Sequence, residues 1–88
     1  MFRVEWLQPA LDELAALWVE GDSAFRRLVT AASTAIDREL CDNPEEKSES
    51  REGEERVFFS YPLGAFFHID HAASIVWIGH VWDIRRNR

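Results

Sequence analysis

Eighty-eight residues allow one domain, 1–88, with one core and no length left for a second. Hydrophobic residues make up 47 % of the chain and aromatic ones 12 %, a globular composition, and no run approaches the roughly 20 apolar residues of a membrane span. Sixteen acidic residues face ten basic ones, a net charge of −6, which argues against a protein that grips free nucleic acid by its phosphates.

The acidic excess is local. Seven of the 14 residues from Asp42 to Glu55 are acidic, and outside that segment nine acidic residues meet eight basic ones. The rest of the domain is therefore neither repelled by RNA nor drawn to it. Cys41 is the single cysteine, so no internal disulfide forms and a reducing cytoplasm is the expected setting. Arg3 and Glu5 break up the apolar N-terminus as no secretory signal would.

Phe2-Arg3-Val4-Glu5-Trp6 alternates with period two and predicts a strand with Phe2, Val4 and Trp6 on one face. Pro9 suits the first turn of a helix. Leu11, Leu14, Ala15 and Trp18 follow at i, i+3, i+4 and i+7, a core-facing stripe that ends near Gly21. Asp22 or Ser23 can cap a second helix, whose stripe is Phe25, Leu28, Val29, Ala32, Ile36 and Leu40, and Asn43-Pro44 stops it. The short connection makes the two helices an antiparallel hairpin. Asp42 to Glu55 reads as a flexible, acidic loop that adds nothing to the core.

Three strands complete the pattern: Arg56–Tyr61, Ala65–Asp70 and Ser74–Trp82, joined by Pro62-Leu63-Gly64 and His71-Ala72-Ala73. Such short links make neighbouring strands antiparallel. The expected fold is α+β, in the order β-α-α-β-β-β, with the hairpin on one face of a small, mostly antiparallel sheet. Strict alternation on the last strand would send Ile75, Trp77, Gly79 and Val81 one way and Val76, Ile78, His80 and Trp82 the other. On the preceding strands, Phe58 and Phe66 would oppose Val57, Phe59, Phe67 and Ile69. Two helices cover only one face, so an aromatic-rich patch is left for a partner or for the acidic segment to cover.

This order, with Arg56 opening a strand, a Pro/Gly turn and the ending Val81-Trp82-Asp83-Ile84-Arg85-Arg86, resembles the RelE/ParE superfamily of bacterial toxin–antitoxin and plasmid-stabilisation toxins. The resemblance implies a cognate antitoxin as partner, and either of two activities. RelE-like toxins cut messenger RNA on the ribosome; ParE-like toxins act on DNA gyrase and lack the nuclease residues. Cleavage through the 2′-hydroxyl needs a base, an acid and cations for the developing phosphorane charge. The residues available for it are Arg56, His68, His80, Arg85 and Arg86. Val57, Phe58, Phe59 and Gly64 stand where such nucleases carry lysine or arginine, so an enzyme is not favoured.

A metal site on His68, Asp70 and His80 lacks a second carboxylate at useful spacing and is not adopted; no metal and no cofactor are expected. The favoured expectation is protein–protein contact through Phe58, Phe66, Trp77, Trp82, Arg85 and Arg86. Partners to consider are an antitoxin, a second copy, and gyrase or the ribosome as target. A module that kept this fold without toxicity is the third alternative.

Overall fold

A computed structural model, which describes residues 1–50 and 53–86, places two helices against a five-stranded sheet. The elements are β1 (Arg3–Trp6), α1 (Gln8–Glu20), α2 (Ser23–Cys41), β2 (Glu49–Ser50), β3 (Arg56–Ser60), β4 (Leu63–Asp70) and β5 (Ile75–Asp83). Their order in the sheet is β1-β5-β4-β3-β2, with β1 parallel to β5 and the other neighbours antiparallel. The α+β layering and the mostly antiparallel sheet are as the sequence implies. No described helix is long and apolar enough to cross a membrane.

Helix α2 follows its predicted stripe. The Asp22 carboxylate accepts from Phe25 N–H at 2.8 Å and caps the first turn. Phe25, Val29, Ala32, Ile36 and Leu40 are buried along one face. Asn43, in the left-handed region at φ 62°, turns the chain out of the helix before Pro44.

Helix α1 departs from its predicted stripe. Ala10 and Leu17 are buried with Leu14 packed beside them, while Leu11 and Trp18 stay 42 % and 43 % exposed. The helix is thus rotated by about one residue from the expected face. Two features set that rotation. Ala10 is small enough to sit fully buried in the core, and Glu13 reaches across to donate nothing but to accept from Val81 N–H of β5, at 3.0 Å. Leu28, also expected in the core, is 43 % exposed on α2.

The strand limits shift as well. β4 begins at Leu63, so the turn after β3 is the pair Tyr61–Pro62, joined by a cis peptide bond, and Leu63 and Gly64 belong to the sheet. In β5 the pairing runs Phe66 with His80 and then Phe67 with Ile78, leaving Gly79 as an extra residue. This bulge reverses the phase of the strand's second half. Val76, Ile78 and Val81 all join the core under the helices, along with Leu63, Ala65 and Phe67. Across the register, Trp77, His80 and Trp82 share the other face with His68, Phe66 and Gly64. The strict alternation expected from sequence is corrected by this one inserted residue.

The Asp42–Glu55 segment carries more structure than a bare loop, with 51 and 52 outside the described residues. Pro44 is buried, Lys47 Nζ lies 3.0 Å from Glu39, and β2 pairs with β3. Arg56 fastens it: Nε donates to Ser48 Oγ at 2.7 Å, and Nη2 to the carbonyls of Glu45 and Ser48 at 3.1 Å each. Arg56→Ala is therefore expected to speed amide hydrogen exchange at residues 45–50 while leaving the helices as protected as before. Unchanged exchange in that segment would show that the arginine does not order it.

Candidate functional site

Three antiparallel strands and the bulge assemble an aromatic surface on the face that the helices leave open. Trp82 stacks on Phe66 with centroids 4.6 Å apart and meets Phe59 edge-on at 6.1 Å. Gly64 permits this arrangement, because a Cβ there would stand 2.4 Å from the Trp82 ring. Phe59 is 46 % exposed and Tyr61 is exposed beside it at the end of β3. Trp77 lies farther along the same face, opposite His68. Among the described strand residues of that face Arg3 is the one arginine, and it pairs with Glu5 at 2.8 Å. The face is apolar and aromatic with acidic neighbours.

Phe58 is not part of it. It pairs with Ala65 and packs against the core beneath the helices, which corrects its placement beside Phe66. Phe59, expected on the opposite side from Phe66, takes its place. Leu11, Trp18 and Leu28 are further exposed apolar residues that sequence periodicity assigned to the core.

The candidate catalytic residues are not gathered in one place. His68 and His80 are exposed on the open face, with His80 Nδ1 3.4 Å from the Glu13 carboxylate. Arg56 is engaged by the 45–48 turn at the far edge of the sheet. Arg85 turns back toward the helices: its guanidinium lies 4.0 Å over the Phe25 ring and makes two contacts of 3.0 Å with Asp83, a forked ion pair. Arg86 reaches Glu20 at 3.5 Å and Asp83 at 3.7 Å. Base, acid and cations that must meet at one phosphate are thus distributed over three regions of the molecule.

Asp83 organises the C-terminal turn and was not singled out by sequence. Its side chain is 1 % exposed and also accepts from the Arg85 backbone N–H at 3.0 Å. Hydrogen bonds from the Arg85 side chain, first among the causes, hold the carboxyl below its ordinary range, against the opposing effect of burial. The same pairing raises the Arg85 guanidinium. Asp70, weighed as a ligand with His68, accepts instead from Ala73 N–H at 3.1 Å in the following turn.

No protein-family model and no curated protein matches the sequence. Solved structures do resemble the fold. A chain of the RelBE2 toxin–antitoxin complex from Mycobacterium tuberculosis aligns with a TM-score of 0.74 at 19 % identity, covering 93 % of this chain and 96 % of that one. A chain of the chromosomal ParDE TA system from P. aeruginosa aligns at 0.72 and 15 % identity, covering 94 % and 96 %. The isolated E. coli RelE toxin aligns at 0.66 and 14 % identity, covering 100 % and 89 %. The two helices over a five-stranded mixed sheet therefore form the RelE/ParE toxin fold.

Proposed function

We propose that this protein is a toxin-like partner of an antitoxin, working in the cytoplasm by protein–protein contact and not by cutting RNA. The open sheet face carries this reading. Phe59, Phe66, Trp77 and Trp82 offer a rigid apolar surface, and Arg3, paired with Glu5, is its one described arginine. Aromatic side chains concentrate binding energy because they bury a large area at little entropic cost. Phosphate recognition needs cations free to approach it, and Arg56 and Arg85 are already held by intramolecular partners. If the protein arrests growth, DNA gyrase is the expected target, as for ParE-like toxins.

Two measurements test the reading. Titration with the product of the adjacent gene should shift tryptophan fluorescence, and Trp82→Ala should weaken that binding by about 2 kcal/mol or more. Messenger RNA on ribosomes, incubated with the purified protein, should stay intact. Specific cleavage that Arg85→Ala abolishes would overturn the proposal in favour of a RelE-type endoribonuclease.

A further inference from the structure

Two rings of the open face form a corner. Phe59 on β3 and Trp82 on β5 flank Gly64, the β4 residue that pairs with each of them. Their planes meet at 84° with centroids 6.1 Å apart. The corner is built in advance of any partner. The indole lies over Gly64, where a Cβ would stand 2.4 Å from its Cζ2, and Phe66 stacks on it at 4.6 Å. Phe59 closes the other side and is 46 % exposed, with Tyr61 exposed beyond it. Rings already held in one arrangement lose little entropy when a partner binds.

The electrostatics of the corner select the charge of its occupant. A ring face is negative at its centre, so two rings around one space favour a cation over an anion of the same size. The surroundings act in the same direction. The chain carries a net charge of −6, and Arg3, the one arginine among the described strand residues of this face, lies 2.8 Å from Glu5. Two contacts elsewhere in the protein show the geometry involved. The guanidinium of Arg26 lies 4.5 Å from the ring centroid of Trp18, and that of Arg85 4.0 Å from Phe25, both inside the roughly 6 Å reach of a cation–ring contact. A guanidinium is flat and weakly hydrated, so it can lie on one ring with its N–H edge toward the other. A lysine ammonium is a compact charge that holds its water.

We propose that the Phe59–Trp82 corner receives an arginine side chain of the partner, stacked on a ring face, and that this arginine selects the partner more than apolar contact does. The proposal rests on the reading of the open face as a binding surface, and adds the chemistry that the face recognises.

The test uses the full chain with N-acetyl-arginine amide as probe, against N-acetyl-citrulline amide, which keeps the planar shape and loses the charge. The arginine compound is expected to shift the Phe59 and Trp82 ring resonances, with its own Cδ protons moved upfield by the rings. The citrulline compound should bind about three- to thirtyfold more weakly, the range from exposed to desolvated cation–ring contacts. Phe59→Leu, at an exposed position, should remove most of that difference, and Phe59→Tyr should keep it. Equal binding of the two compounds, shifts at the Glu13 and Glu20 carboxylates in place of the rings, or a difference undiminished in Phe59→Leu would overturn the proposal. So would a dimer of the chain alone that Phe59→Leu dissolves, because the corner would then take an arginine of a second copy. The product of the adjacent gene separates the two readings. If Trp82→Ala weakens its binding while Phe59→Leu leaves the affinity unchanged, the arginine proposal falls and the antitoxin reading stands.

Discussion

Ile36→Ala is expected to destabilise the protein by about 2–5 kcal/mol, whereas Leu11→Ala should cost less than about 1 kcal/mol. The two residues belong to stripes that look equivalent in the sequence. Ile36 is fully buried, on the α2 stripe that also carries Phe25, Val29, Ala32 and Leu40 into the core. Truncation there removes three heavy atoms from close contact and leaves a cavity that a helix anchored at both ends cannot close. Leu11 is 42 % exposed, so its truncation returns little new apolar surface to water. For a domain of this size 1 kcal/mol corresponds to roughly 4–8 °C in Tm. Ile36→Ala should therefore lower the melting temperature by more than about 10 °C, and Leu11→Ala by a few degrees at most. Equal losses from the two substitutions would contradict the rotation of α1.

That rotation shows where periodicity stops being informative. For α2 the large apolar residues and the buried face coincide, so the 3.6 period reads it correctly. In α1 the 3.6-period stripe runs through Leu11 and Trp18, but the helix seats itself on Ala10, Leu14 and Leu17. A pattern weighted by size cannot anticipate that alanine permits the closest approach to the sheet. Nor can it anticipate that Glu13, polar by any scale, belongs on the inner side because Val81 N–H lacks a strand partner. Both facts depend on where β1 stops along β5.

The sheet surface was legible in content and not in phase. The aromatic strands and their antiparallel meander follow from the residues, and the unpartnered face follows from having only two helices. Which residues occupy that face turned on Gly79. A glycine inside a strand pattern is a signal for a bulge, and taking it so would have placed Trp77, His80 and Trp82 together. The pairing of Asp83 with Arg85 has no comparable signal, since a run of alternating charges at a chain end usually marks solvated surface. Only the burial of Asp83 makes its carboxylate a fixed acceptor.

Asp83→Asn should cost about 1.5–3 kcal/mol at neutral pH, the scale of hydrogen bonds to a charged group whose partner is left in place. Asp83 accepts from the Arg85 backbone and from Nε and Nη2 of its side chain, with Arg86 at 3.7 Å. An amide cannot accept at both of its positions, so the substitution turns an N–H donor toward a guanidinium. The pH dependence has a defined sign. Because the folded carboxyl titrates below its ordinary value, its contribution is fully present above the unfolded value of about 3.9. It is lost as pH falls through the lower folded value. In urea melts the gap between the native chain and Asp83→Asn should hold from pH 7 to about 5 and narrow below pH 4. The substitution also releases the Arg85 guanidinium from its fork near the end of β5. If that capture is what keeps Arg85 from phosphates, the variant should bind RNA more tightly than the native chain at low salt. A stability gap as wide at pH 2–3 as at pH 7 would show that Asp83 contributes packing and not charge.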